Sequence, residues 1–115
     1  PFIYYGDEIG LEFRGDLTSK EGGYSRTGTR TPMQWAPGMN RGFSTAPASR
    51  LYLPVNRRPG QDVASQEHDP GSILRAVRKL LALRRDHPAL GNDAAFEPIH
   101  AVSGECPFVY LRRQG

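Results

Sequence analysis

Four apolar residues in a row, Phe2-Ile3-Tyr4-Tyr5, stand at the start of the chain with no polar position among them. Such a run predicts a strand buried on both faces, as in parallel sheets covered by helices, and Gly6 ends it. From Gly6 to His68 neither the helical nor the strand period persists, and Gly, Pro, Ser and Thr recur throughout. Connections usually run ~4–6 residues, and much longer ones are generally functional or disordered. Interleaved aromatics (Phe13, Tyr24, Trp35, Phe43, Tyr52) argue against disorder, because disordered chains are poor in them.

Periodicity returns at Asp69-Pro70-Gly71-Ser72. Asp69 predicts an N-cap, and Pro70 suits the first helical position, where a missing N–H costs nothing. Ile73, Leu74, Val77, Leu80 and Leu81 recur at helical spacing, with Arg84 in the same series. Arg75, Arg78, Lys79 and Arg85 occupy the remaining faces and are read as a solvated surface, late cations suiting the helix dipole. Pro88 biases His87 away from helical angles and closes the element. Phe96 to Val102 and Phe108 to Leu111 then read as two strands joined around Ser103-Gly104-Glu105, a hairpin.

Composition narrows the class. A chain of 115 residues suits one small domain or a piece of a larger one. With 37% hydrophobic residues it can bury a core, while 10 Pro and 13 Gly imply much irregular structure. Net charge is +3 and the arginines are scattered, unlike the basic stripe of a nucleic-acid binder. The single Cys106 excludes an internal disulfide and suits a reducing compartment, so a cytoplasmic location is expected. No apolar run approaches the roughly 20 residues that span a bilayer, and a soluble protein is expected. Apolar strands lie close to both ends, so their backbone partners are expected from a longer chain of which this is a fragment.

Strand, decorated loop, amphipathic helix and hairpin, in that order, fit one βα unit of a barrel, in which functional loops follow the strand C-termini. The residues carry a resemblance as well. Pro1-Phe2-Ile3-Tyr4-Tyr5-Gly6-Asp7-Glu8-Ile9-Gly10 resembles the eighth barrel strand of the α-amylase superfamily of glycoside hydrolases, family 13. Arg30-Thr31-Pro32-Met33-Gln34-Trp35 followed by Asn40-Arg41-Gly42-Phe43-Ser44 is similar to its α-glucosidase, oligo-1,6-glucosidase and trehalose-synthase branch. Leu51-Tyr52-Leu53-Pro54-Val55, Gln66, Asp69-Pro70-Gly71-Ser72-Ile73-Leu74 and Leu83-Arg84-Arg85-Asp86-His87-Pro88-Ala89-Leu90 continue in register. Ala36, where many members carry an acidic residue, and Arg41, where Ala is common, depart from that pattern.

The resemblance implies an α/β fold. Residues 1–91 would hold the last strand, long loop and last helix of a (β/α)₈ TIM barrel, and residues 92–115 the start of an antiparallel all-β C-terminal domain. It also implies that Arg30 lies beside the glucosyl unit of an oligosaccharide or disaccharide substrate. A guanidinium offers five donors in a rigid fork, suited to hydroxyls and to an active-site carboxylate. From the residue alone, tying the loop down through carbonyls is an equal reading; the resemblance favours the sugar. Glu8 is expected as a buried bonding group at the barrel end and Trp35 as a loop anchor held by burial, both supporting the site.

Catalytic residues are not expected here. Retaining glycoside hydrolysis needs two carboxyl groups ~5–5.5 Å apart, and the family's nucleophile, acid/base and stabilising acid all precede Pro1. Asp7 and Glu8, as neighbours leaving a strand, point to opposite faces and cannot flank one bond. Glu12, Asp16 and Glu21 are expected in solvent. His68, His87 and His100 lack ligand spacing, Cys106 lacks an activating partner, and neither metal nor cofactor is expected. The parent is expected to be an α-glucosidase-like hydrolase, with a transglucosylase or isomerase such as trehalose synthase, or a non-catalytic sugar-binding module, as alternatives. Nucleic acid and membrane are not expected as partners. With its helix face uncovered, the isolated segment is expected to self-associate, swap elements or be partly disordered between Gly10 and Gly28.

Overall fold

A computed structural model describes residues 2–19 and 25–115. Glu21, Tyr24 and the middle of the Gly10-to-Gly28 stretch lie outside the described residues. The chain forms two compact units, Pro1–Val77 and Arg78–Gly115.

The first unit opens differently from the predicted strand. Phe2 to Tyr4 make no strand pairing, because no described residue supplies the partner backbone that a ladder requires. The chain instead turns: Asp7 N–H donates to the Tyr4 carbonyl at 3.1 Å, and Tyr4 N–H to Asp7 Oδ2 at 2.8 Å. A 3₁₀ turn, Asp7–Ile9, follows and closes at Gly10, whose φ of 63° lies in the left-handed region that favours glycine.

The long connection is largely irregular, as predicted, but it includes a one-turn helix the pattern did not reveal, α1 (Val63–Glu67). Five residues are too few for a hydrophobic period to register. Its N-cap is Asp62, whose Oδ1 accepts from Ser65 N–H at 2.8 Å. The free amides at the start of α1 are served by the loop, Val63 N–H by the Gln34 carbonyl (3.1 Å) and Ala64 N–H by that of Trp35 (3.0 Å).

Helix α2 (Ile73–Asp86) matches the predicted amphipathic segment. Its cap is Ser72, not Asp69. Ser72 Oγ accepts from Arg75 N–H at 3.3 Å, whereas Asp69 Oδ1 accepts from Gly71 N–H at 2.8 Å and shapes the turn before the helix. Ser72 adjoins the first helical residue, so its hydroxyl reaches a free amide of the first turn that Asp69, three residues earlier, does not serve. His87 is extended (φ −117°, ψ 104°) and a 3₁₀ turn, Pro88–Leu90, follows, so the Pro88 stop holds.

The apolar core of the first unit is small. Ile9, Met33 and Leu74 form it, with Leu11 and Val63 packed alongside. Ile73, Leu80 and Leu81 of the α2 face remain exposed. Buried amides do much of the joining. Gln66 Nε2 donates to the carbonyls of Ile9 (2.8 Å) and Gly60 (3.1 Å), and its Oε1 accepts from Leu74 N–H (3.0 Å). Gln61 donates to the Gly10 carbonyl and accepts from Asn56. One glutamine thus ties the first turn, the end of the loop and the start of α2.

In the second unit, β1 (Ala95–His100) pairs antiparallel with β2 (Val109–Arg113), Phe96 opposite Arg112 and Pro98 opposite Tyr110. The hairpin is as predicted but its strands shift by one or two residues. The register slips between Pro98 and His100, where Pro98 has no N–H to give a ladder. Glu105 N–H closes the predicted turn onto the Val102 carbonyl at 3.1 Å. Arg112 donates to the carbonyls of Ala89 and Gly91, tying β2 to the turn after α2.

Candidate functional site

Thr31, Pro32, Met33 and Gln34 are four consecutive buried residues, and they hold Arg30 on one side and Trp35 on the other. Arg30 N–H donates to the Thr27 carbonyl at 3.0 Å. Tyr5 Oη donates to the Thr31 carbonyl at 3.1 Å, linking the first turn to the residue beside Arg30. On the far side, Trp35 N–H and Ala36 N–H both donate to the Arg41 carbonyl, at 2.8 and 3.2 Å. Arg41 adopts φ 55°, uncommon for a residue with a side chain, and its guanidinium bonds the Arg57 carbonyl at 2.9 Å.

Trp35 does not anchor the loop by burial. Its residue surface is 53% exposed. The anchor is its backbone together with the four residues before it, which leaves the indole for a surface of its own.

That surface is a cavity of about 460 Å³, within the range of small-molecule sites. Arg30, Glu8 and Trp35, the three site residues expected from sequence, all line it. Tyr5, Phe43 and Tyr52 add aromatic surface, and Pro32, Met33 and Leu53 complete the wall. Glu8 is half-buried, and its Oε2 accepts from Gly6 N–H at 2.7 Å. Burial raises the pKa of the Tyr5 phenol, Tyr4 adds to the rise, and the Arg30 cation opposes it. Flat rings beside a guanidinium and a carboxylate suit a neutral polyhydroxylated ligand, whose C–H faces stack while its hydroxyls bond.

A second cavity of about 370 Å³ shares Tyr5 and Arg30 with the first and is lined by Asp7. Glu8 and Asp7 therefore serve different cavities, and each carboxylate accepts from a local amide. They do not form the flanking pair that glycoside hydrolysis requires. A third hollow of about 540 Å³ holds Glu12 and the Arg14–Asp16 pair. The hydrogen bond from Arg14 holds the Asp16 carboxyl below its usual range.

Buried Thr31 Oγ1 and both amide atoms of Gln34 find no hydrogen-bond partner among the described residues. Among the described residues, no three His, Cys, Asp or Glu side chains stand together as a metal cluster. His100 lies 3.6 Å from Glu105, and Cys106 is an exposed thiol. No helix is long and apolar enough to cross a membrane among the described residues.

Residues 1–93 match the family described as Alpha amylase, catalytic domain. The chain belongs to the α-amylase family. Residues 1–93 of this α-amylase-family chain are accordingly part of a TIM-barrel catalytic domain. The trehalose synthase/amylase TreS of Mycobacterium tuberculosis (strain ATCC 25618 / H37Rv) is 45% identical over 120 residues, covering 98% of this chain and 18% of that protein. The trehalose synthase of Thermus thermophilus is 41% identical over 95 residues, 76% of this chain and 9% of its own. A probable alpha-glucosidase of Rhizobium meliloti is 36% identical over 110 residues, 92% and 16% respectively. The chain spans less than a fifth of the length of these relatives.

Tyr5, Phe43 and Tyr52 were not singled out as site residues from sequence. Phe43 and Tyr52 were visible as aromatics in a polar loop, but only folding brings positions 5, 43 and 52 to one wall of this α-amylase-family site.

Proposed function

We propose that this segment is the end of the barrel domain of an enzyme that acts on α-glucosidic bonds of oligosaccharides or disaccharides, and that Arg30 contacts the glucosyl unit. The carrying observation is the convergence of Arg30, Glu8 and Trp35 on one aromatic-lined cavity in a chain of this family. In this reading residues 1–91 contribute the eighth strand, its loop and the last helix, and residues 92–115 begin an antiparallel β domain. The nucleophile and the acid/base carboxylate come from the rest of the enzyme. The 115-residue segment by itself is inactive, self-associates through its uncovered helix face, and belongs to a cytoplasmic protein.

An α-glucosidase-like hydrolase is one form of this enzyme; a transglucosylase or isomerase such as trehalose synthase is the other. Relatives named trehalose synthase reach 45% and 41% identity against 36% for the alpha-glucosidase, which favours isomerisation of a disaccharide. The two forms differ in whether water or a sugar hydroxyl receives the glucosyl group.

Full-length enzyme assayed on maltose, trehalose and a linear oligosaccharide tests the proposal. Arg30→Ala should lower turnover about ten- to a hundred-fold, the range for losing a hydrogen bond to a charged group worth ~1.5–3 kcal/mol in the transition state. Arg30→Lys should recover little, because an ammonium cannot reproduce the fork. Near-normal turnover in Arg30→Ala would return the residue to a structural role. Hydrolysis by the purified segment would overturn the assignment of the catalytic carboxylates.

A further inference from the structure

Arg30 stands on the wall between two cavities, and Tyr5 shares that wall. The arginine's backbone is held on both sides. Its N–H bonds Thr27, and the carbonyl of the next residue, Thr31, receives the Tyr5 phenol at 3.1 Å from 26 positions away. Pro32 follows Thr31 and fixes its own φ, so the Thr31 carbonyl has little freedom to turn away from Tyr5. Thr31 is fully buried and its hydroxyl finds no partner among the described residues, so among them the side chain adds no polar anchor.

We propose that Tyr5 is the positioning residue for Arg30: its hydroxyl holds the Thr31 carbonyl and so sets where the guanidinium stands between the two cavities. The consequence for catalysis rests on the reading that Arg30 contacts the glucosyl unit; the positioning itself does not. The Arg30 cation also opposes the rise of the Tyr5 pKa, as expected of two groups held close together. Tyr5→Phe keeps the ring, its contact with Tyr4 (centroids 4.7 Å apart) and its place in both cavities, and removes only the hydroxyl.

Two measurements on the full-length enzyme decide it. In the first, kcat is compared for wild type, Tyr5→Phe, Arg30→Ala and the double variant. Losing one neutral hydrogen bond that positions a transition-state contact should cost about two- to ten-fold in kcat. In the Arg30→Ala background the same change should cost nothing further, because its effect passes through the arginine. Equal losses in both backgrounds, or none in either, would overturn the catalytic role. In the second, enzyme labelled with ¹⁵N-arginine is observed by NMR, the Arg30 Nε–H signal being identified by its disappearance in Arg30→Ala. Tyr5→Phe should shift or broaden that signal; an unchanged signal would overturn the positioning. Should Arg30→Ala prove fully active, the sugar-contact reading fails, while the NMR result still settles whether Tyr5 positions the arginine.

Discussion

Gln66→Ala takes away one side chain and strands three backbone groups, the carbonyls of Ile9 and Gly60 and the amide of Leu74. Each buried polar group left without a partner costs about 1–3 kcal/mol. The Ile9 carbonyl and the Leu74 amide are buried, whereas Gly60 lies at the surface, where water replaces the lost bond. Two full penalties give about 2–6 kcal/mol, and water entering the vacated space offsets part of this, leaving about 2–4 kcal/mol. This chain alone divides into two compact units, so a global midpoint is a poor readout. Hydrogen–deuterium exchange on peptides spanning the first turn of α2 reads the site directly. If local opening carries the loss, the Leu74 amide should exchange about thirty- to a thousand-fold faster in Gln66→Ala. Gln66→Met separates the possible causes, since it restores volume without donors or acceptor. It should exchange nearly as fast as the alanine variant. Wild-type protection in Gln66→Met would show that packing, not hydrogen bonding, joins these elements, and an unchanged alanine variant would refute the joint altogether.

Leu74→Ala removes a third of the small Ile9–Met33–Leu74 core and should cost about 2–5 kcal/mol, read as faster exchange or earlier protease nicking of the first unit. Gly28→Ala would drive a Cβ into the Arg14 carbonyl oxygen, which is backbone and must move. It should destabilise the Arg14-to-Gly28 contact by about 1–3 kcal/mol, with limited proteolysis as the check. Asp16, held low by the hydrogen bond from Arg14, should titrate below the usual carboxylate range by NMR and return upward in Arg14→Ala. Its pair supports the fold above the ordinary Asp pKa, and that support is lost as pH falls through the lowered value. Tyr5 has a raised pKa, so the folded state keeps a proton that the unfolded chain loses near pH ~10. Its contribution is present below that pH and fades as pH rises through the folded value, a loss that Tyr5→Phe should abolish in alkaline unfolding.

Local physics was legible wherever a single stretch of chain carries it. The spacing of Ile73, Leu74, Val77, Leu80 and Leu81 determined a helix, Pro88 determined its stop, and two apolar runs around Ser103-Gly104 determined a hairpin. The order Arg30-Thr31-Pro32-Met33-Gln34-Trp35 marked the family and the arginine at its cavity. Asp7 and Glu8 were expected to diverge as neighbours leaving a strand; they lie instead in the 3₁₀ turn Asp7–Ile9, and there they line separate cavities.

Tertiary structure decided what depends on partners distant along the chain. Phe2-Ile3-Tyr4 has the composition of a strand, but pairing needs another backbone, and the described residues offer none. Asp69 was expected to cap α2, but the cap is Ser72, whose hydroxyl also donates to the Gln66 carbonyl at 2.7 Å. Trp35 looked like an anchor because large rings gain most from burial, yet its neighbours took the interior and left its indole on the cavity wall. Tyr5 and Thr31 lie 26 positions apart and Gln66 and Ile9 57 apart. A hydrogen bond across such a span leaves no periodic trace in the sequence, since nothing local constrains either end until the loop has closed.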